Sequence, residues 1–268
     1  MMFSHKKIIY KFNRLENKYF SDPSFQISKN HLHLLIWNTK YNSSNFKISG
    51  FLSNSILLIL SIITIFVCKI KKIKIANYFI VHKNKNGSYD FRSDYILKNH
   101  NFKNSLNIIR CSTFIDSLKA YFKYPNVVFY LSIDYFNSSF SFKKGSIKKH
   151  YIVLHQKEKK NYKFIKKIFI FLNIKKFLSI DDQRVIQVFL KVCYDLKIKS
   201  IGYMHYKFTN YVVGIKYLCF DYFIVWSEYF KKKLIEINEE YKSKKIFISG
   251  YPKKELPKST NNKNINIL

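Results

Sequence analysis

The sequence predicts an α/β fold, a Rossmann-like doubly wound sheet of mainly parallel strands, and three observations lead there. Between residues 177 and 253, four short apolar runs (177–180, 200–204, 222–226 and 246–249) alternate with longer segments of helical periodicity. That rhythm is the signature of βαβ units, in which each strand is followed by a crossover helix. Polar residues collect at the ends of those runs: Asp181-Asp182, His205, Ser227-Glu228 and Gly250. Open parallel sheets bind ligands beyond the carboxyl ends of their strands, so this edge is the expected site. Third, 268 residues with 47% hydrophobic and 18% aromatic content suffice to bury a core and exclude a disordered chain.

Each element follows in order. Residues 1–30 form a basic, irregular N-terminal segment with a turn at Asp22-Pro23, and residues 31–252 form the α/β domain. Residues 31–37 predict a first strand, and 41–49 a polar loop. An apolar helix covers about 51–68. Residues 76–81 predict the next strand, with a turn at Asn86-Gly87-Ser88. Further strands are expected at 106–110 and 127–132, with a helix over 113–122 between them and Pro125 ahead of the second. Residues 140–151 carry a weaker pattern, and 162–172 predict a helix before the clear βα series. Residues 253–268 are polar and are expected to be a disordered tail or a truncated linker to a missing second domain.

The formal charge of +32 would suit a polyanion partner, but all except four of the 48 cations are lysine. Bidentate recognition of phosphate and guanine is the speciality of arginine, so nucleic acid is disfavoured. Ile, Lys, Asn, Phe and Tyr share A/T-rich codons, and genome composition accounts for much of the lysine. An anionic membrane surface remains a natural partner for it. The four cysteines, Cys68, Cys111, Cys193 and Cys219, form no C-x-x-C pair, which argues against a zinc site and a disulfide framework and for reduced thiols in a cytosolic compartment. No secretory signal peptide is apparent.

Residues 51–67 are the one membrane candidate, 17 residues followed by Lys69, Lys71, Lys72 and Lys74. This is the lower limit for a span, and the run is interrupted. Asn54, Ser61, Thr64 and Cys68 recur at helical spacing as one small, polar stripe. A helix packed between sheet and membrane surface has this pattern, as does one buried outright; both are favoured over a transmembrane helix at 51–67. The expected location is cytoplasmic, peripheral at the inner face of the plasma membrane.

Among the motifs, Asp181-Asp182 ends one strand and opens a helix, where one aspartate serves as an N-cap. The second, or Arg184 one turn on, is then free to face a ligand. His205 ends the next strand, where an imidazole can act as general base or bind a hydroxyl or phosphate. Ser227 is a good N-cap for the amphipathic helix that follows, and Gly250-Tyr251-Pro252 closes the last strand as a hinge or domain exit. With only 6 glycines and no G-x-G-x-x-G or Walker-type loop, a tightly bound dinucleotide or P-loop cofactor is disfavoured. No metal-ligand spacing and no G-x-S-x-G elbow occurs, so no metal site is assigned.

The ordered set SIDDQR, SIGYMH, FDYFIVWSEYFKKKL and IFISGYPK resembles the N-terminal, acceptor-side half of bacterial surface-polysaccharide glycosyltransferases of the GT-B architecture, capsule and polysialyltransferase-like members included. His205 matches the family's strand-end histidine. Asp221, Trp226 and Ser227 match a second segment, and Ile246, Ile248, Ser249, Gly250 and Pro252 a third, over about 75 residues. Tyr206 stands where the family has glycine.

The resemblance implies transfer of a sugar from a nucleotide-sugar donor to a glycan or lipid-linked acceptor. It casts His205 and Asp182 as the catalytic pair and Arg184, Ser227, Glu228 and Gly250 as substrate-binding residues. It also implies that a second domain or a second chain supplies the donor half. The alternative is a non-catalytic, membrane-associated subunit that recruits a donor-binding partner.

Overall fold

A computed structural model of the chain describes residues 48–81, 102–111, 113–130, 147–179, 186–204 and 220–251. Helix α1 (Ile48–Ile70) leads into β1 (Ile75–Val81). A 3-10 turn at Phe102–Asn104 precedes β2 (Leu106–Cys111), and α2 (Phe114–Lys123) and β3 (Val127–Phe129) follow. Then come α3 (Ile147–Leu172), β4 (Lys176–Ser179), α4 (Ile186–Asp195) and β5 (Lys199–Tyr203). The series closes with β6 (Tyr222–Val225), α5 (Glu228–Ile237), a 3-10 turn at Glu239–Ser243 and β7 (Lys245–Ile248). The strands expected between 76 and 249 thus all form, each within three residues of its predicted bounds. Helix α3 begins well before the predicted 162. The strand expected at 31–37, the turn at 86–88 and the segments 1–30 and 253–268 lie outside the described residues.

All seven strands join one sheet in the order β3-β2-β1-β4-β5-β6-β7, and every neighbouring pair is parallel. The chain builds outward from β1 to β3, crosses through α3 to β4, and builds outward the other way. This is a Rossmann-like doubly wound fold, with its reversal between β1 and β4. Side chains of β1 alternate between the two layers accordingly. Tyr78 meets Phe189 of α4 and Tyr130, whereas Phe79 meets Tyr124 at the end of α2.

Three helices enter the sheet through one turn. Lys72, Asn173 and Lys197 adopt left-handed φ of 53°, 55° and 54°, at the ends of α1, α3 and α4. In each the next amide reaches five residues back, from Ile73 to Cys68, Ile174 to Phe169 and Ile198 to Cys193. That closes a Schellman cap, and the isoleucine after each cap is buried as the strand begins. Helix α2 starts on Thr113, whose Oγ1 accepts from the Asp116 amide at 3.1 Å and donates to its carboxylate at 2.7 Å.

The amino edge of the sheet is pinned by polar side chains. Asn77 Nδ2 donates to Ser105 Oγ and Asn107 Oδ1, and Asn107 Nδ2 donates to the Pro125 carbonyl at 2.6 Å. The Asp221 carboxylate accepts from the Ser200 amide at 2.9 Å and the Ser200 hydroxyl at 3.0 Å. These bonds tie the start of β6 to the start of β5.

Among the described residues no helix is long and apolar enough to cross a membrane. The transmembrane alternative for 51–67 is therefore corrected: α1 docks Leu57, Ser61, Thr64 and Cys68 into the domain. Ser61 Oγ accepts from the Phe129 amide of β3 at 3.0 Å, so the helix lies along the sheet.

Cys68, Cys111 and Cys193 are buried free thiols. Burial pushes Cys68 up to about 11 and Cys111 up to about 12, against weaker opposition from Lys71 and the Ser117 hydroxyl; it raises Cys193 as well. All three stay protonated at neutral pH, and the thiolate is the reactive form. In the native chain these three are expected to resist a disulfide-exchange reagent for hours and to react at once in denaturant. Peptide mapping of the labelled chain checks this; rapid native labelling at any of the three would show the core around it to be open.

Candidate functional site

The parallel strands end on one edge in register. Ser179 of β4 lies opposite Gly202, Tyr203 of β5 opposite Ile224, and Val225 of β6 opposite Ile248. In doubly wound sheets the usual ligand position is the carboxyl edge at the strand-order reversal, which here falls between β1 and β4. Asp182 and Arg184 follow β4, the strand at the reversal, and His205 follows β5, its neighbour. All three side chains lie outside the described residues, as do Asp181 and Pro252.

The remaining predicted site residues are described. Ser227 occupies the N-cap position of α5 with extended backbone, but its side chain makes no capping hydrogen bond. The hydroxyl at the carboxyl end of β6 is thus not committed to its helix, although the sequence gives it that task. Glu228 opens the helix, where a carboxylate suits the positive end of the dipole, and pairs with Lys231 at 3.2 Å on the surface. Gly250 follows β7 with φ 76°, and nothing lies within 4 Å of the position its Cβ would take. Backbone conformation, not crowding, requires glycine there. Ser249 N donates to the Val225 carbonyl at 2.9 Å, which fixes the end of β7 beside that of β6. The structure therefore brings Ser227, Glu228 and Gly250 to adjacent strand ends.

Trp226 stands between these residues. Its ring meets Phe230 and lies 4.7 Å from Tyr251. It is 5% exposed, and among the described residues its Nε1 is a buried donor with no hydrogen-bond partner. An unsatisfied buried donor costs about 1–3 kcal/mol, and a ligand acceptor would relieve that cost.

Sequence reasoning missed a second polar group beside the carboxyl end of β3. Glu158 of α3 is 2% exposed. The Tyr130 hydroxyl donates to its carboxylate at 3.2 Å, and Asn161 Nδ2 donates to that hydroxyl at 2.8 Å. Buried carboxylates survive only where they are paired and hydrogen-bonded, and such clusters concentrate at functional sites. The available signal was Glu158 as the single acidic residue among lysines from 147 to 172; the pattern does not show that it faces inward.

Asp221 belongs to the matched set but sits at the opposite, amino edge, where it braces β5 and β6. Among the described residues no group of three or more His, Cys, Asp or Glu side chains could hold a metal ion. No family model matches the chain, and no curated protein matches it.

Proposed function

We propose that this chain is the acceptor-side half of a nucleotide-sugar-dependent glycosyltransferase acting in cell-surface polysaccharide synthesis. One observation carries the reading. The sheet reverses between β1 and β4, and the chemistry-bearing residues of the sequence follow the strands on the β4 side of that reversal, at the carboxyl edge. His205 would deprotonate or hydrogen-bond the acceptor hydroxyl, and Asp182 would orient it or hold the imidazolium. Arg184 would bind an anionic group of the acceptor. Ser227, Trp226 Nε1 and the Gly250 backbone offer polar groups that suit sugar hydroxyls, and Glu228 stands at the rim. The donor's nucleotide would be bound by a second domain or a partner chain, and the lysine-rich surface would keep the protein near lipid-linked acceptors at an anionic membrane.

The test measures sugar transfer from a panel of labelled nucleotide sugars to membrane-extracted acceptors. The full chain is assayed alone and with the product of any adjacent reading frame encoding a second Rossmann half. His205→Ala is expected to abolish transfer with the thermal midpoint unchanged. Unaltered turnover in that variant would remove His205 from the site. Absence of transfer in every arrangement would overturn the enzyme reading in favour of a non-catalytic subunit that recruits a donor-binding partner.

A further inference from the structure

Helix α1 is amphipathic in the wrong sense for water. Its small and polar residues, Ser61, Thr64 and Cys68, face the sheet and are buried. Its large apolar residues face out: Leu52, Ile56, Ile59, Ile63, Phe66 and Ile70 are 46–80% exposed. They recur every three or four residues over more than four turns, one continuous stripe about 27 Å long at 1.5 Å per residue. The stripe continues onto the end of α3, where Ile170 and Phe171 are exposed and the Phe171 ring meets Phe66 edge-on at 5.9 Å. A soluble monomer rarely exposes so long a contiguous apolar surface.

Charge identifies the occupant. Residues 52–67 carry no charged side chain, and residues 48–81 contain no aspartate or glutamate. At the end of the stripe Lys69, Lys71, Lys72 and Lys74 are all exposed. Lys69 Nζ donates to the Phe171 carbonyl and lies 4.8 Å over its ring, which holds that cation at the margin of the apolar face. A second copy would offer this basic end no anionic partner, since each chain carries a formal charge of +32 and residues 48–81 hold no carboxylate. An anionic bilayer meets both features, taking the apolar side chains among its acyl chains and pairing the lysines with headgroups.

We infer that α1 is an in-plane membrane anchor: its outer face, with the end of α3, docks the domain on an anionic lipid surface without crossing it. The inference stands on these two helices and is independent of the transferase reading, since lipid binding and sugar transfer are measured separately.

The full chain is tested by flotation with vesicles of phosphatidylcholine alone and of phosphatidylcholine with about one-third phosphatidylglycerol. Binding is expected to the anionic vesicles and to weaken with salt. Ile59→Glu with Ile63→Glu should reduce partitioning about tenfold or more, since each removes an inserted side chain, with the thermal midpoint held. Should that pair lower the midpoint, Ile56→Ser with Ile63→Ser gives a milder version of the same loss. Lys71→Glu with Lys74→Glu should remove the preference for anionic vesicles. Failure of the wild-type chain to float with either vesicle overturns the inference, as does undiminished binding by a folded apolar-face variant. A chain that ignores vesicles and sediments as a dimer, becoming a monomer on Ile59→Glu with Ile63→Glu, would assign the face to a second copy instead.

Discussion

Phe189→Ala is expected to lower the free energy of unfolding by about 3–5 kcal/mol, the range for deleting a buried phenylalanine where the cavity cannot collapse. The ring is fully buried and joins three elements. It stacks on Phe177 of β4 at 5.0 Å with planes 6° apart, lies 4.9 Å from Tyr78 of β1, and also meets Tyr130 and Phe169. Those neighbours stand on both sides of the sheet reversal, so the void would fall where the two halves of the fold meet. Urea denaturation followed by circular dichroism measures the effect. A loss under about 1 kcal/mol, the typical value for an arbitrary substitution, would mean that this aromatic layer is not packed as described. Because Tyr130 also bonds Glu158, the same variant should loosen the buried carboxylate and the carboxyl edge near it.

Gly202→Ala is expected to destabilise by about 1–3 kcal/mol through overpacking, although alanine is ordinarily the better residue in regular structure. A Cβ at this position in β5 would stand 2.6 Å from two atoms of the Phe223 ring and 2.7 Å from Phe220. Both rings are fully buried, and they contact each other at 5.5 Å while Phe223 also meets Tyr241, so neither can swing aside freely. Paired with Phe223→Leu, the substitution should cost less than the sum of the two single changes, because the smaller side chain opens the room that the methyl needs. A neutral or stabilising Gly202→Ala would show that the β5–β6 layer is looser than this geometry. Under the proposed reading the change would also bear on the site, since β5 ends two residues before His205 in the sequence.

Local chemistry in the sequence reached far. Apolar runs of four to seven residues between helical segments are legible one window at a time, and parallel pairing follows because each return needs a helix. The Schellman turns into β1, β4 and β5 were not legible, because lysine and asparagine hold the left-handed position where glycine is the usual marker. Ser227 shows the limit at the site. Residue type and position named it a helix cap, and its place at the cap is as read, yet the hydroxyl makes no capping bond. Asp221 shows it again. Its neighbours in sequence lead toward the carboxyl edge, but the residue itself precedes β6 and serves the amino edge.

By itself the sequence determined the strands of the βα series, the helices described at 186–195 and 228–237, and the residues that follow each strand, because side-chain periodicity is a property of consecutive positions. The tertiary structure decided which strands are neighbours, hence the reversal between β1 and β4. It also decided which face of α1 is turned inward and that Glu158 is buried. Those outcomes depend on what lies across a contact: the small residues of α1 face inward because the Phe129 amide of β3 needs the Ser61 oxygen, a partner 68 residues away that no local pattern announces.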